Sequence, residues 1–408
     1  MGMSPLPRLQ PKSRVRVFSM ALGADASLDP AGGVAAKDQH PLLKPSSSTS
    51  APASESIEEM EKKYAAYVRK DAYGTMGRGE LPTKEKVLLG FACVTLVPIR
   101  VVLGVLLLVV YYSICRLCTL FSAPSREDGQ EHYAHMVGWR RVAVVRSGRF
   151  LARVMLFNFG FYWIRETRKG PASDELECRE QSDESERPGV IVSNHVSHLD
   201  ILYHMSSFFP SFVAKRSVAK LPLVGIISYQ YVTAFICSKC LGCVYVQRES
   251  KSSEFKGVSG IVTERIQEAH RNKHSPMMML FPEGTTTNGD YLLPFKTGAF
   301  LAKVPVRPVI LRYPYKRFSP AWDSISGARH IFLLLCQFVN HLEVTHLPVY
   351  YPSKEEKEDP KLYASNVRKL LATEGNLILS DIGLAEKRVY HAALNGNSLP
   401  RVSHGKDD

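Results

Sequence analysis

The apolar stretch at residues 87–115, VLLGFACVTLVPIRVVLGVLLLVVYYSIC, constrains the fold most, because Arg100 is its single charged residue. About twenty apolar residues suffice to cross roughly 30 Å of hydrocarbon. Pro98 and Arg100 divide the stretch into two shorter runs, so one tilted span and a bent, re-entrant pair are both compatible with it. The stretch predicts membrane attachment, with a buried core helix as the alternative.

The flanking segments extend this prediction. Residues 150–164, FLARVMLFNFGFYWI, are short and aromatic-rich, which favours a helix in the headgroup zone, with a core helix as the alternative. Residues 1–56 are rich in Ser, Pro and Ala and predict disorder. They contain no signal-peptide core, and an organelle transit peptide remains open. Residues 57–71 mix charges at helical spacing and predict a solvent-exposed helix.

From residue 189 onward, short apolar runs alternate with predicted helices at 197–208, 254–272 and 296–303. Brief apolar runs bounded by Gly, Pro or charge are typical of buried strands, and this alternation predicts an α/β domain with a largely parallel sheet. Ligands of such sheets collect beyond the carboxyl ends of the strands. The predicted strands are GVIVSN (189–194), SFVAK (211–215), GCVYVQR (242–248), MMMLFP (277–282) and VRPVILRY (306–313).

The charge balance favours an anionic partner. Lys and Arg number 52 against 39 acidic residues, a formal net charge of +13. Nucleic acid, an anionic lipid surface and a phosphorylated substrate all suit that charge, but beside the apolar stretches we expect a membrane and no nucleic acid. No metal site is expected, since Cys237, Cys240 and Cys243 lack an obvious fourth ligand and His195 with His198 lacks a third.

Four polar motifs follow the predicted strands in a defined order. They are His195 to Asp200 (H-x-x-x-x-D), Gly242 to Arg248 (G-x-x-x-x-x-R), FPEGT at 281–285 and VPVRPV at 304–309. Together, over roughly residues 185–312, they resemble the glycerolipid acyltransferase family, which transfers fatty acyl groups from coenzyme A to lysophospholipids. Within that family, GCVYVQRE and FPEGTTTNGDYLL look like the plant lysophosphatidylethanolamine acyltransferases.

The resemblance implies a glycerolipid-acyltransferase-like α/β domain, with helices flanking a largely parallel sheet and N-terminal membrane helices before it. It also implies acyl-CoA as a co-substrate, with no bound cofactor. The expected regions are a disordered tail (1–56), a polar helix and linker (57–86), membrane segments (87–122), an interfacial helical region and linker (123–184), the catalytic domain (185–350) and a C-terminal helical region and tail (351–408).

His195 is the candidate general base. Acyl transfer from a thioester to a glycerol hydroxyl needs that hydroxyl deprotonated as it attacks, which suits a neutral imidazole. Asp200, five residues on, would face away from His195 on a straight helix, so we expect His195 in the turn before the helix. Asp200 can then hold the other ring nitrogen and fix the tautomer. No covalent acyl-enzyme is expected, since GVSG at 257–260 is not G-x-S-x-G.

The acceptor carries a phosphate, which a bidentate guanidinium suits best, so Arg248 is the candidate clamp. In FPEGT, Gly284 lets backbone amides approach closely, and Glu283 can hold glycerol hydroxyls or orient Arg248. Lys296 and Lys215 are candidates to bind the other phosphates of the acceptor or of coenzyme A. The family resemblance implies that Pro308 belongs to the acyl-donor side of the site. The remaining candidate binding residues are Gly242, Thr285, Lys296, Lys215 and Pro308.

The sequence therefore predicts an acyl-CoA:lysophospholipid O-acyltransferase of phospholipid synthesis or remodelling, acting on lysophosphatidylethanolamine. We expect it on the endoplasmic reticulum membrane with its domain in the cytosol, in preference to a plastid membrane. The alternatives are a lysophosphatidate or glycerol 3-phosphate acyltransferase, and a non-catalytic lipid-binding membrane protein with the same fold.

Residues 229–237, YQYVTAFIC, depart from the family pattern, in which a run like KLPLVGIIS passes almost directly into one like SKCLGCVYVQR. An odd-numbered insertion within a packed strand would turn every later side chain to the other face. We therefore expect these residues to bulge before Gly242, toward the membrane.

Overall fold

The computed structural model describes residues 57–122, 125–127, 130–132, 136–170, 187–215, 244–246 and 258–395. All of them lie in one of the two compact units of the chain, Glu55–Asp408. Several predictions lie outside the described residues, namely those for 1–56, 229–237, Gly242, Arg248 and the cysteines Cys237, Cys240 and Cys243.

The described part of the chain contains one seven-stranded sheet and two small two-stranded sheets. The strands are β1 (Ser125–Glu127), β2 (Gln130–His132), β3 (Ile164–Arg168), β4 (Val190–Ser193), β5 (Ser211–Lys215), β6 (Val244–Val246), β7 (Met278–Leu280), β8 (Tyr291–Leu292), β9 (Val306–Arg312), β10 (Leu342–His346) and β11 (Ile378–Leu379). Each of the five predicted strands is present.

The large sheet has the order β3-β10-β9-β4-β7-β5-β6. Five neighbouring strands of this sheet are parallel to one another, namely β9, β4, β7, β5 and β6. β10 pairs antiparallel with β9 and parallel with β3. This mixed, mostly parallel sheet confirms the predicted α/β class. It also includes β3, which precedes the predicted start of the catalytic domain.

Helices cover both faces of the sheet. They are α1 (Ile57–Lys63), α2 (Thr83–Thr119), α3 (Gly138–Asn158), α4 (Leu199–Ser207), α5 (Val258–Arg271), α6 (Gly327–Leu335), α7 (Lys354–Glu358), α8 (Pro360–Gly375) and α9 (Leu384–Leu394). Successive side chains of a strand point to opposite faces, so Ile191 joins a core with α3, α4 and α6, and Val190 joins a second core with α5 and α8.

Two predicted helices differ from the structure. The predicted helix at 296–303 is a single 3₁₀ turn, Thr297–Ala299, and Lys303 adopts φ +60°, which a right-handed helix does not allow. The predicted exposed helix at 57–71 ends at Lys63. The segment after Lys63 is not a solvent-exposed helix, since Tyr67 and Arg69 are buried and Arg69 forms an ion pair with Asp323 at 3.1 Å.

The apolar stretch lies on one continuous helix, α2, which passes through Pro98 without interruption. Among the described helices, α2 alone is long and apolar enough to cross a membrane by length and composition. The bent, re-entrant pair and the plural membrane helices are therefore replaced by one helix in this part of the chain. Arg100 is buried and donates to the carbonyl of Leu335, the last residue of α6, at 2.9 Å and to that of Gln337, two residues later, at 2.6 Å.

The aromatic patch predicted at 150–164 occupies the last turns of α3 and the loop after it. α3 runs antiparallel to α2, since Asn158 near its end donates to the Arg100 carbonyl while Val144 packs with Cys115. Phe150 and Trp163 are exposed. The two helices therefore form a hairpin whose outer surface is apolar and aromatic.

Candidate active site

The predicted histidine–aspartate pair lies at the carboxyl edge of β4. His195 sits in the loop between β4 and α4, and Asp200 lies in the first turn of α4. His195 Nδ1 is 2.9 Å from Asp200 Oδ2, and the aspartate side chain is fully buried. The turn before the helix thus places the imidazole over the carboxylate, which a straight helix would not do.

Asp200 is held by more than the histidine. The backbone N–H groups of Val196 and Ser197 donate to its Oδ2 at 2.7 and 2.9 Å, and the Tyr313 hydroxyl donates to Oδ1 at 2.6 Å. Burial, with the nearby aspartate charge, raises the pKa of Tyr313 well above its ordinary value, so this hydroxyl stays a donor. A carboxylate so anchored selects the tautomer in which His195 Nδ1 carries the proton.

The imidazole of His195 is fixed from a second side. Its ring stacks on Phe281, with centroids 4.0 Å apart and an interplanar angle of 14°. Its side chain is 19% exposed, and within the described residues Nε2 has no hydrogen-bond partner. Nε2 is therefore the atom available to take a proton from a ligand.

Glu283 was predicted to hold glycerol hydroxyls or to orient Arg248, but in the structure its carboxylate binds backbone N–H groups. Its Oε1 accepts the N–H of His195 at 2.7 Å, and its Oε2 accepts the N–H of Leu293 at 2.9 Å. Because both oxygens are occupied by backbone donors and the side chain is buried, Glu283 braces the histidine loop. Burial raises its pKa to about 8, against the opposing effect of the two N–H bonds.

Backbone bonds complete the brace. The Thr287 N–H donates to the His195 carbonyl at 3.0 Å, and the Trp322 N–H donates to the Val196 carbonyl at 2.8 Å. The Asn194 amide exchanges two hydrogen bonds with the backbone of Leu311 in β9, at 2.9 and 2.8 Å. Such fixed contacts hold a base in position without reorganisation during a reaction.

FPEGT forms a turn beside the pair. Gly284 adopts φ +73° and is exposed, a conformation that favours glycine. A Cβ at this position would lie 3.2 Å from Lys296 Cε, so the lysine side chain passes over the turn. Thr285 is half-buried in the same turn. Gly284, Thr285 and Lys296 are thus brought together at this turn.

Of the other predicted binding residues that the structure describes, Lys215 lies at the same edge of the sheet as His195 and Pro308 does not. Lys215 ends β5, opposite Val246 of the parallel strand β6, at the same edge as His195. Pro308 is buried inside β9, opposite Val192. It lies within the strand rather than at the carboxyl edge of the sheet.

Several residues of this site were not assigned, from the sequence, the contacts that they make here. They are Asn194, Phe281 as a stacking partner, Tyr313, Trp322 and Lys387. Lys387 of α9 donates to the Thr286 carbonyl at 2.7 Å, and burial lowers its pKa to about 8. Tyr313 is the last residue of the predicted strand at 306–313, so its position at the carboxyl end of that strand was the available signal; Lys387 offered none.

Two further histidines lie near the pair. His198 packs edge-on against Trp322, and burial lowers its pKa to about 4. His204 is fully buried four residues after Asp200, neither ring nitrogen has a hydrogen-bond partner among the described residues, and burial lowers its pKa to about 3. Both rings are therefore neutral near pH 7. Among the described residues, no three His, Cys, Asp or Glu side chains converge as metal ligands do.

A buried, anchored aspartate lies behind a histidine whose second ring nitrogen has no partner among the described residues, at the carboxyl edge of an α/β sheet, where ligands of such sheets collect. The Acyltransferase family profile matches residues 175–312, which contain both residues. The chain belongs to this acyltransferase family, and it is an O-acyltransferase.

Proteins similar to this chain include several named lysophospholipid or lysophosphatidylcholine acyltransferases. The Arabidopsis thaliana protein named lysophospholipid acyltransferase LPEAT1 is 62% identical over 91% of this chain and 96% of the relative. Lysophosphatidylcholine acyltransferase 1 of Danio rerio is 31% identical over 73% of this chain and 52% of the relative, so the chain spans about half of that protein. Among solved structures, the 1-acyl-sn-glycerophosphate (LPA) acyltransferase PlsC of Thermotoga maritima covers 69% of this chain and 100% of its own, with TM-score 0.37 and 16% identity.

Proposed function

We propose that the protein transfers an acyl group from acyl-CoA to the free glycerol hydroxyl of a lysophospholipid, with His195 as the general base. The observation that carries the proposal is the 2.9 Å contact between His195 Nδ1 and Asp200, while Nε2 has no hydrogen-bond partner among the described residues. The similarity to proteins named lysophospholipid acyltransferases supports the acceptor class.

The reaction follows from the free nitrogen. His195 Nε2 takes the hydroxyl proton while the glycerol oxygen attacks the thioester carbonyl carbon. Collapse of the tetrahedral intermediate breaks the carbon–sulfur bond, and the imidazolium returns the proton to the departing thiolate of coenzyme A. Asp200 stabilises the imidazolium between these steps. No bond from the acyl group to the protein is formed.

Basic residues at the catalytic edge are proposed to hold the substrate phosphates. Arg248 lies two positions after the end of β6 in the sequence, and β6 runs parallel to β5 and so ends at this edge. A planar guanidinium recognises phosphate oxygens in pairs, so we assign Arg248 to the acceptor. Lys296 and Lys215 are proposed to meet the remaining phosphates of either substrate, alongside the Gly284 turn.

We further propose that the outer face of the α2–α3 hairpin embeds the protein in a membrane, where both amphiphilic substrates reside. It exposes many large apolar side chains, and Trp and Phe favour the headgroup boundary. The proposed membrane is that of the endoplasmic reticulum, with the catalytic edge in the cytosol. The exposed residues include Val87, Phe91, Val94, Ile99, Val102, Leu106, Trp139, Phe150 and Phe157.

An acceptor panel tests the function. The full chain is expressed in membranes and given one labelled acyl-CoA with lysophosphatidylethanolamine, lysophosphatidylcholine, lysophosphatidate or glycerol 3-phosphate. We expect the highest kcat/KM with lysophosphatidylethanolamine. If lysophosphatidate or glycerol 3-phosphate is acylated faster, that compound is the acceptor and the assignment to a lysophospholipid such as lysophosphatidylethanolamine is wrong.

The panel needs two controls. Membranes holding the His195→Ala chain at equal expression subtract host activity. Omission of acyl-CoA, with a labelled diacyl phospholipid supplied instead, separates transfer from coenzyme A from transfer between lipids. Lack of turnover with every lysophospholipid by a well-expressed chain contradicts the proposal.

A further inference from the structure

A polar cavity of about 330 Å³ lies outside the catalytic site. It is formed by α3, the end of α4, β3 and the end of β10. Its polar lining includes Arg149, Arg153, Glu166, Arg168, Ser206 and His346. Three guanidinium groups in one cavity are a recognised arrangement for an anion, and their planar donors match phosphate oxygens.

The cavity lies at the opposite end of α4 from the catalytic pair. Asp200 is in the first turn of this helix and Ser206 is in its last. With a rise of about 1.5 Å per residue, the two are separated by about 9 Å along the axis. β3 and β10 run opposite to β4, so their carboxyl ends lie at the edge where β4 begins. The cavity is therefore separate from the edge that carries His195.

Two of the arginines have donors to spare. Arg153 donates to the carbonyls of Phe161 and Tyr162 at 3.0 and 2.8 Å, which fixes it in the cavity wall. Arg149 uses only Nε, which donates to the Ser206 carbonyl at 3.1 Å. Within the described residues, the terminal nitrogens of Arg149 and the whole guanidinium of Arg168 make no hydrogen bond or ion pair.

Among the described lining residues, the single carboxylate, that of Glu166, does not balance the three guanidinium groups. Glu166 accepts the Tyr203 hydroxyl at 3.0 Å and lies 3.7 Å from His346 Nε2. Arg307 lies next to the cavity, over the Phe208 ring, and its buried Nε has no hydrogen-bond partner in the part of the chain that the structure describes. Burial and the charge of Arg168 lower the pKa of Arg307, as expected where cations are crowded together.

The surroundings indicate how a ligand arrives. Phe150 follows Arg149 on α3, Trp163 precedes the cavity residue Ile164, and both aromatic side chains are exposed. They belong to the apolar outer surface of the hairpin. A phosphate at the depth of lipid headgroups would thus meet Arg149 and Arg168 while the aromatic rings contact acyl chains.

We propose that this cavity binds the phosphate of an acidic phospholipid headgroup, at a site separate from that of the substrates. Arg149 and Arg168 bind the phosphate oxygens, and Arg153 shapes the wall. The site adds lipid recognition to the acyltransferase and goes beyond its proposed reaction.

Binding to the purified full chain in a zwitterionic detergent tests the proposal. The probes are dioctanoyl phosphatidate, dioctanoyl phosphatidylcholine and inorganic phosphate, each titrated by calorimetry. We expect phosphatidate to bind and the double variant Arg149→Gln/Arg168→Gln to weaken it at least tenfold. The matched control is Arg146→Gln/Arg165→Gln, which removes the same charge from α3 and β3 outside the cavity and is expected to change the affinity less than twofold.

Each other outcome has a defined meaning. Equal weakening by both double variants reduces the effect to net charge and overturns the proposal. Inorganic phosphate binding as tightly as phosphatidate assigns the cavity to the free ion and overturns the lipid source. A higher acceptor KM for Arg149→Gln/Arg168→Gln in zwitterionic micelles would make the cavity part of the substrate site, again overturning the proposal.

Two further variants keep the test decisive. If the double variant is poorly folded, Ser207→Glu introduces a carboxylate into the lining and is expected to abolish phosphatidate binding. Residues 174–186, which follow β3, contain seven acids that are candidates to compete for the arginines. If binding appears only after these acids are replaced by amides, the chain itself occupies the cavity and the lipid proposal is overturned.

Discussion

At the residue scale, the site depends on one buried carboxylate. Asp200 contacts His195, two backbone N–H groups and the Tyr313 hydroxyl. Each contact is within ordinary hydrogen-bond distance, so the carboxylate is fully satisfied without solvent. The histidine therefore gains a fixed tautomer and orientation, which a surface pair would lose to side-chain motion.

His195→Ala removes the proposed base and no core residue. We expect turnover to fall by about 10²–10⁴-fold, the usual contribution of general-base catalysis, with membrane association unchanged. Labelled acyl-CoA turnover in isolated membranes measures it. His274→Ala, which removes an exposed histidine in the turn before β7, is the control; a His195→Ala chain retaining more than about a third of wild-type turnover contradicts the role.

Tyr313→Phe tests the support behind the pair. The change leaves Asp200 Oδ1 buried without its 2.6 Å donor. We expect kcat to fall several-fold while both KM values change less than twofold, since the residue positions the base and contacts no substrate. An unchanged kcat would show that the two backbone donors suffice.

Glu283 predicts a pH dependence of stability. Burial raises its pKa from 4.5 to about 8, so the folded chain binds a proton between these values that the unfolded chain releases. Its contribution to the free energy of unfolding is therefore greatest below pH 4.5 and is lost as the pH rises to about 8. Glu283→Gln lacks this titration, so the wild-type Tm minus the variant Tm should fall across that interval in detergent; a constant difference contradicts the assignment.

At the scale of elements, the α2–α3 hairpin is attached to the domain by a charged residue in an apolar helix. Arg100 donates to the carbonyls of Leu335 and Gln337, where α6 ends, and lies 3.2 Å from the Tyr162 hydroxyl. The last carbonyls of a helix lack partners of their own, and a guanidinium satisfies several at once. The charge that interrupts the apolar stretch is thus a docking contact.

Arg100→Met tests this contact. Loss of charge-assisted bonds to buried carbonyls should lower the free energy of unfolding by about 2–4 kcal/mol. Thermal unfolding in detergent measures the change. Arg116→Met replaces an exposed arginine of the same helix and should leave the Tm nearly unaltered; equal shifts for both variants would mean that Arg100 acts only through helix charge.

At the scale of the whole molecule, the two edges of one sheet carry two kinds of polar site. The edge where the parallel strands end carries His195 and Lys215, and the opposite edge carries the arginine cavity. α4 spans the distance between them. This separation follows from the parallel strands, because all their carboxyl ends meet on one side, and from β3 and β10, which run the other way.

The nine residues at 229–237 give a prediction for the whole chain. If they bulge before Gly242, deleting them removes a connection without changing the register of the following strand. We expect the deletion to preserve or raise activity with lysophospholipid, measured beside the full chain in the same membranes. A well-expressed but inactive deletion shows that these residues are part of the working site.

The local pattern of the sequence was enough for the α/β class, the five parallel strands and the turn that places His195 before α4. These features depend on neighbouring residues, through periodicity and the steric limits of a turn. The apolar stretch at 87–115 likewise predicted a helical segment, but it did not predict that one helix continues through Pro98.

Only the tertiary structure decided which groups meet across long separations. Glu283 bonds to the backbone of a loop 88 residues away, Tyr313 reaches Asp200, and Arg100 caps a helix more than 200 residues later. The same holds for β3 beside β10 and for the arginines that line one cavity from separate elements. Such contacts depend on the packing of whole layers, and a sequence motif carries no signal of the partner that packing will supply.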